Sequence, residues 1–213
     1  MIQQTRPRNA DTVIVLDFET TGMSPDQGNR AIEVGAIKLE GGEIVDRFQG
    51  LMNPGLRVSS FIEGLTGISN EMLDEAPSCG VVMDEFADFI EGYDLVAHNA
   101  SFDRRFLDAE LAGIGRGYVG QFACSMLAAR RVYPNAPNHK LGTLVEYKSI
   151  SNNGTFHRAL ADAEMTAGLW LGMLRDITAR HEFVNIPFVL MQELGRVPAV
   201  AAAGFLDREG GQN

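Results

Sequence analysis

A block of apolar residues that ends in two acids constrains this chain more than any other stretch. Val13-Ile14-Val15-Leu16 is β-branched and aliphatic throughout, the pattern of a buried strand. Asp17 and Glu19 follow, with Phe18 between them. Alternate side chains of a strand share a face, so the two carboxylates project together from the strand's end. Neighbouring acids repel and stay ionised where a cation sits between them. Taken alone, the pair also fits a strand that runs out into a polar, solvated turn.

The rest of the chain supplies a layout. The first strand spans about residues 12–18, and residues 20–30, rich in Gly, Ser, Pro and Asn, form a loop. Residues 31–39 make a second strand, Gly41-Gly42 signals a hairpin, and a third strand carries Ile44, Val45, Phe48 and Leu51. Residues 59–74 divide into two short helices around Leu65-Thr66-Gly67-Ile68. Val81, Val82, Phe86, Phe89 and Ile90 then recur at helical spacing. Residues 94–99 read as a short buried strand, and Ser101 is placed to cap a helix with Phe102, Phe106, Leu107 and Leu111 on its apolar face. A brief fifth strand at 122–124, a helix through Met126 and Val132, a short helix at 141–145 and a polar loop at 151–155 follow. A long helix from about 158 to 180 lines up Ala159, Ala163, Ala167, Trp170, Leu174 and Ile177. The order βββ, then α, β, α, β and α, predicts an α/β fold with a mixed sheet covered by helices.

Three segments result: a flexible N-terminus at 1–11, a domain at 12–180 and a C-terminal extension at 181–213. The extension opens apolar (Phe183, Ile186, Phe188, Leu190, Leu194) and ends charged and Gly-rich. The plainer expectation is one final helix on the domain plus a frayed end. The sharper one is a docking segment for a partner or for a second copy, giving a homodimer.

Charge and cysteine usage exclude some classes. A formal net charge of −10 argues against a non-specific nucleic-acid coat, though not against an enzyme that grips a few nucleotides around an acidic metal site. Cys79 and Cys124 form no Cys-x-x-Cys pair, which argues against a zinc ribbon or a disulfide scaffold and fits a reduced, cytoplasmic setting. Residues 1–11 lack the apolar core of a signal peptide, and no apolar run approaches the ~20 residues that span a bilayer, so no membrane role is expected.

Other acids can join the opening pair. Asp103 closes His98-Asn99-Ala100-Ser101-Phe102-Asp103 at a strand-to-helix junction, where open α/β sheets hold their ligands. Asp162 falls in the first turn of the last long helix, a position that favours negative charge. His157 lies five residues earlier, and five steps of ~100° put the two on different helix faces. They converge only if His157 belongs to the preceding loop, which Ser151-Asn152-Asn153-Gly154 supports. Each residue singly has an ordinary reading as a helix-start acid, a loop histidine or, for His98, a satisfied core residue. Jointly, four acids and one histidine at element ends describe a site for two hard divalent cations, Mg²⁺ or Mn²⁺.

Asp17-Phe18-Glu19-Thr20-Thr21-Gly22, His98-Asn99-x-x-Phe102-Asp103 and His157-x-Ala159-Leu160-x-Asp162 closely resemble the three motifs of the DEDDh 3′–5′ exonucleases. That family includes the proofreading epsilon subunits of bacterial DNA polymerase III. The resemblance covers roughly residues 12–180. It implies a ribonuclease H-like fold: a five-stranded mixed sheet with the second strand antiparallel, flanked by helices. It also implies that Asp17, Glu19, Asp103 and Asp162 hold two metal ions and that His157 deprotonates the attacking water. Phe18, Thr20, Met23, Leu65, Thr66, Asn99 and Phe102 are then candidates for holding the terminal nucleotide. Arg158 leads the candidates for phosphate contact, ahead of Arg104, Arg105, Arg130, Arg131 and Lys140. The implied substrate is a single-stranded or mispaired DNA 3′ end, in proofreading or repair. RNA ends are the alternative, and a non-catalytic nucleic-acid-binding module on the same fold is a third reading. Cys124-Ser125 departs from the Asp-Thr that many relatives carry there. The tail resembles neither the polymerase-docking segment of the epsilon subunits nor a sliding-clamp motif, so a stand-alone enzyme is the safer expectation.

Overall fold

The computed structural model describes residues 8–151 and 157–211. β1 (Val13–Thr20), β2 (Ala31–Glu40) and β3 (Glu43–Leu51) form an antiparallel meander. Gly41 and Gly42 turn the β2–β3 hairpin with φ of 57° and 83°, left-handed values that a side chain resists. β4 (Leu95–Ala97) and β5 (Phe122–Cys124) add in parallel beyond β1. The sheet order is β3-β2-β1-β4-β5, with β2 the antiparallel second strand that the motifs imply.

Two helical layers cover the sheet, and β1 sorts its side chains between them with period two. Ile14, Leu16 and Phe18 pack toward α3 (Cys79–Phe89) and α4 (Ser101–Gly113), among Val82, Phe86, Phe106 and Leu107. Val13 and Val15 face the opposite layer, built on α7 (Ala159–His181) with α5 (Ser125–Val132) and α6 (Leu141–Tyr147) beside it. Asp17 and Glu19 continue that second row past the apolar residues. α1 (Ser60–Thr66) and α2 (Asn70–Glu75) close a small cluster of Ile32, Val58, Ile68 and Leu73.

The ends differ from expectation. Residues 1–7 lie outside the described residues, but residues 8–11, expected to be flexible, are tied down. Ala10 is fully buried, its N–H donates to Ile186 O, and the Trp170 indole N–H donates to Ala10 O at 2.7 Å. The extension forms two helices rather than one, α8 (Phe188–Leu194) and α9 (Ala202–Gly210), with a 3-10 turn at Ala199–Ala201. Pro198 between them cannot continue a helix. Their Phe188, Met191, Leu194, Ala202 and Leu206 join the α7 core, so the extension is part of the domain's packing. Of the loop expected at 151–155, residues 152–155 lie outside the described residues. Ser101 does not cap α4: Ala100 holds the cap position, and Asn99, at φ 72°, receives the Phe102 N–H on its carbonyl. No helix among the described residues is long and apolar enough to cross a membrane.

Candidate active site

The C-terminal ends of the central strands β1 and β4 meet the first turns of α4 and α7 at one end of the sheet. The β1 register sends Asp17 and Glu19 out on the α7 side, both half-buried. Asp103, in the first turn of α4, is 2% exposed and accepts a hydrogen bond from the Phe18 N–H at 3.2 Å. Asp162, in the first turn of α7, is 8% exposed and accepts from the His157 N–H at 2.8 Å. His157 lies outside α7, as the five-residue spacing requires, with φ 61° and its side chain exposed. That bend brings ligand atoms of Glu19, His157 and Asp162 within 4.8 Å of one another.

The four acids perturb each other. Burial, then the charges of Asp103, Asp162, Glu19 and Glu33, holds the Asp17 carboxyl well above the usual carboxylate range. Burial and the neighbouring acids push Glu19 up to about 8, and burial pushes Asp103 up to about 7. Asp162 is raised by burial, against the opposing hydrogen bond from His157. Among the described residues no Lys or Arg forms an ion pair with any of the four, and the Arg158 charge lowers Glu19 only partly against its burial and the neighbouring acids. A divalent ion would supply the balancing charge, and four carboxylates are the hard oxygen donors that Mg²⁺ or Mn²⁺ prefers. The residues therefore fit a divalent metal centre.

Glu33, in β2, makes the contrast. It is fully buried beside the same cluster, yet its carboxyl lies below the usual range. Burial raises it, but hydrogen bonds from Arg158, Gln49 and the Ala159 N–H outweigh that. Arg158, the favoured phosphate contact, thus has its guanidinium on Glu33, at 2.6 and 3.1 Å.

The nucleotide candidates divide. Phe18 is 4% exposed with its ring edge-on to Phe86, because period two turns it away from its acidic neighbours; it offers the site only its backbone. Thr20 donates its hydroxyl to Gly22 O and is 7% exposed, and Thr66 donates its hydroxyl to Ile62 O while accepting the Ile68 N–H. Both hydroxyls work within their own turns. Phe102 packs half-buried on Phe106. Met23, Leu65 and Asn99 are exposed. Arg105 reaches Ser101 O and Met23 O, Arg131 donates to Val197 O and Leu127 O, and Arg104 pairs with Asp108.

Residue patterns left three supporting positions unassigned. Glu33 was readable as an acid inside the apolar run Ala31–Glu40. Gly35 lies where α7 crosses β2, and a Cβ built there would collide with Ala159 C and Leu160 N. Ser125, fully buried, bonds His98 Nδ1 at 2.8 Å, and His98 Nε2 meets His139 O at 2.9 Å. A carbonyl only accepts, so Nε2 carries the proton and Nδ1 accepts from the Ser125 hydroxyl. Burial lowers the His98 pKa to about 4, which keeps it neutral and structural.

Comparisons with known proteins agree with this geometry. The RNase_T family model, described as an exonuclease, matches residues 14–170. The DNA polymerase III PolC-type of Bacillus subtilis (strain 168) is 39% identical over 182 residues, covering 82% of this chain and 12% of that protein. The DNA polymerase III PolC-type of Caldanaerobacter subterraneus subsp. tengcongensis is 37% identical over 164 residues, covering 77% and 12%. The 3′-5′ exonuclease DinG of Bacillus subtilis (strain 168) is 33% identical over 193 residues, covering 89% and 20%. The chain thus spans 12–20% of the length of these relatives. Among solved structures, Exonuclease X in complex with 5′ overhanging duplex DNA superposes with a TM-score of 0.62 at 25% identity, covering 76% of this chain and 91% of that one. The nuclease domain of 3′hExo, a DEDDh family member bound to rAMP, gives 0.67 at 23% identity, covering 78% and 92%, and so shares the fold.

Proposed function

The chain belongs to the RNase_T exonuclease family, and on that premise we propose that it removes nucleotides from 3′ ends, releasing 5′-nucleoside monophosphates from single-stranded or mispaired DNA. The observation that supports this reading is the grouping of Glu19, His157 and Asp162 ligand atoms within 4.8 Å, electrostatically coupled to Asp17 and Asp103, at the ends of the central strands. DNA is preferred over RNA because the PolC-type relatives are named as DNA polymerases.

Asp17, Glu19, Asp103 and Asp162 would hold two divalent cations, Mg²⁺ or Mn²⁺. Bound there, the ions supply Lewis-acid stabilisation of charge on the phosphate oxygens. The side chains do the rest. Asp103 and Asp162, fixed by the Phe18 and His157 N–H groups, hold their oxygens in place. His157, exposed on its bend, takes the proton of the attacking water; an imidazole does this well near neutral pH. Met23 and Leu65 offer exposed apolar surface on which a terminal base can rest without its sequence being read, and Asn99 offers a free amide. The catalytic unit runs through α7, and residues 181–211 brace it.

End-labelled DNA and RNA of one sequence, incubated with and without Mg²⁺, test the reading. Mononucleotide release from the DNA 3′ end, abolished in Asp17→Ala, is the expected result. Equal or faster trimming of RNA would move the assignment to an exoribonuclease, and unchanged activity in Asp17→Ala would refute the site.

A further inference from the structure

Glu33 is an acid with no place in the chemistry above, though it is fully buried beside the catalytic acids. Its oxygens are taken. Oε1 accepts from Arg158 Nη2 at 2.6 Å and Gln49 Nε2 at 2.9 Å; Oε2 accepts from Arg158 Nε at 3.1 Å and the Ala159 N–H at 2.9 Å. Four donors on one carboxylate leave it no free lone pair in a useful direction, so it is not a fifth metal ligand.

What those donors share is location: three of the four belong to Arg158 and Ala159, the entry to α7. The first N–H groups of a helix have no partner within it. The α7 cap residue, Arg158, supplies no side-chain bond of its own. The Ala159 N–H is capped instead by Glu33 of another element, 126 residues away along the chain. Gly35, two residues along β2 and so on the same face as Glu33, lets the α7 backbone lie directly on the strand. His157 immediately precedes Arg158 in a left-handed conformation that non-glycine residues rarely adopt. Asp162 grips it from one side through its N–H, and Arg158 is fixed on Glu33 from the other.

We propose that Glu33 and Arg158 form a positioning pair that docks the first turn of α7 on β2 and so sets His157 and Asp162 against Asp17 and Glu19. This rests on the exonuclease reading for its effect on rate. Arg158 then acts on catalysis through the residues beside it, and not by holding a substrate phosphate.

The test uses Glu33→Gln, Arg158→Met, Arg158→Lys and the double variant Glu33→Gln/Arg158→Met. Steady-state kinetics on a 3′-terminal oligonucleotide is one readout. The rise in melting temperature on adding Mn²⁺, measured without substrate, is the other. Each single change is expected to lower kcat about 10- to 100-fold, the usual effect of losing a supporting shell, with KM within about threefold of wild type. The Mn²⁺ shift shrinks in the same variants. The double variant is expected to be no slower than the slower single one, since both changes break one contact. It also buries no unpaired charge, so it remains informative if a single variant fails to fold. Arg158→Lys restores little, because an ammonium cannot span both carboxylate oxygens. Raised KM at unchanged kcat in Arg158→Met, additive losses in the double variant, or an undiminished Mn²⁺ shift would each overturn the proposal. A wild-type protein inactive on DNA and RNA would refute the exonuclease reading instead, while the Mn²⁺ melting shift would still decide the pair.

Discussion

Replacing Gly35 by alanine adds one methyl group where α7 crosses β2. The backbone there is not in a glycine-only conformation, so the consequence is steric alone. The new Cβ falls inside the contact radii of Ala159 C and Leu160 N, closer than the 3.0 Å that real Cβ atoms respect. Neither atom is a side-chain tip that can rotate away; both are helix backbone. From 2.1–2.2 Å, ordinary contact is restored only if α7 retreats from the strand by roughly 1.5 Å, given an optimal carbon separation of ~3.5–4.0 Å. The retreat stretches the Ala159-to-Glu33 bond and moves Asp162, three residues further on. Overpacking of this kind costs about 1–3 kcal/mol, and more where backbone must move. For a domain of this size that is a fall of about 3–10 °C in melting temperature. A displacement of ~1 Å in a catalytic group costs about 100-fold in rate. Thermal melts and single-turnover trimming of a labelled DNA 3′ end, below the variant's melting temperature, measure both. A Gly35→Ala protein with wild-type melting and trimming would refute the claim that α7 is docked through this contact.

Three further outcomes follow from the site and its surroundings. Burial with the neighbouring acids pushes Glu19 up to about 8, and burial pushes Asp103 up to about 7, against ordinary values of 4.5 and 3.8. The folded state therefore holds protons that the unfolded state releases, and stability fully present below about pH 4 is lost as pH rises to 8. The metal-free melting temperature should fall across that window, and saturating Mg²⁺ should flatten the slope; a metal-free curve that rises would refute the clustering. Asp103→Asn keeps an acceptor for the Phe18 N–H while removing one repelling charge, so metal-free stability should rise by ~1 kcal/mol as trimming is lost; denaturant melts that show destabilisation would count against it. Trp170→Phe removes the buried donor to Ala10 O and should cost ~1–3 kcal/mol. It should also expose residues 8–11 to protease, with trimming below the melting temperature little changed.

The residues that chemistry needs were legible where the signal is local. Asp17 and Glu19 share a face because they are two apart on a strand, and the apolar run before them identifies the strand. The five-residue spacing of His157 and Asp162 forbids one helix face, so with the polar run before it His157 reads as a loop residue that can approach Asp162. Phe18 shows the limit of that reasoning. The same alternation that aligns its neighbours sends its ring into the core against Phe86, which leaves only its backbone facing the candidate site. Arg158 shows another limit. Its partner Glu33 is 125 residues distant, and nothing local tells a buried ion pair from a free cation. Residues 8–11 look like a loose polar terminus until the extension returns to pair with them near residue 187. Long-range pairing of this kind leaves no periodic trace.

Five acids meet at this end of the sheet, and the fold treats them in two ways. Glu33 is fully shielded from solvent, and among the five it is the one whose charge is answered by an ion pair. Had Arg158 lain instead among Asp17, Glu19, Asp103 and Asp162, it would have relieved their repulsion and occupied the space a metal ion needs. Pairing it with Glu33 keeps the only nearby guanidinium among the described residues out of that space while still fixing the backbone that carries His157 and Asp162. The uncompensated cluster makes the metal-free protein less stable, and the offset has to come from elsewhere. It comes from α7, whose far end is buried among Trp170, Leu174, Ile177 and the helices of the extension. One helix thus carries the proposed catalytic groups at its start and much of its stabilising packing behind them. The rate-determining geometry and the stability of the domain are therefore separable by position along α7: changes at its first turn act on catalysis, and changes at Trp170 and beyond act on folding.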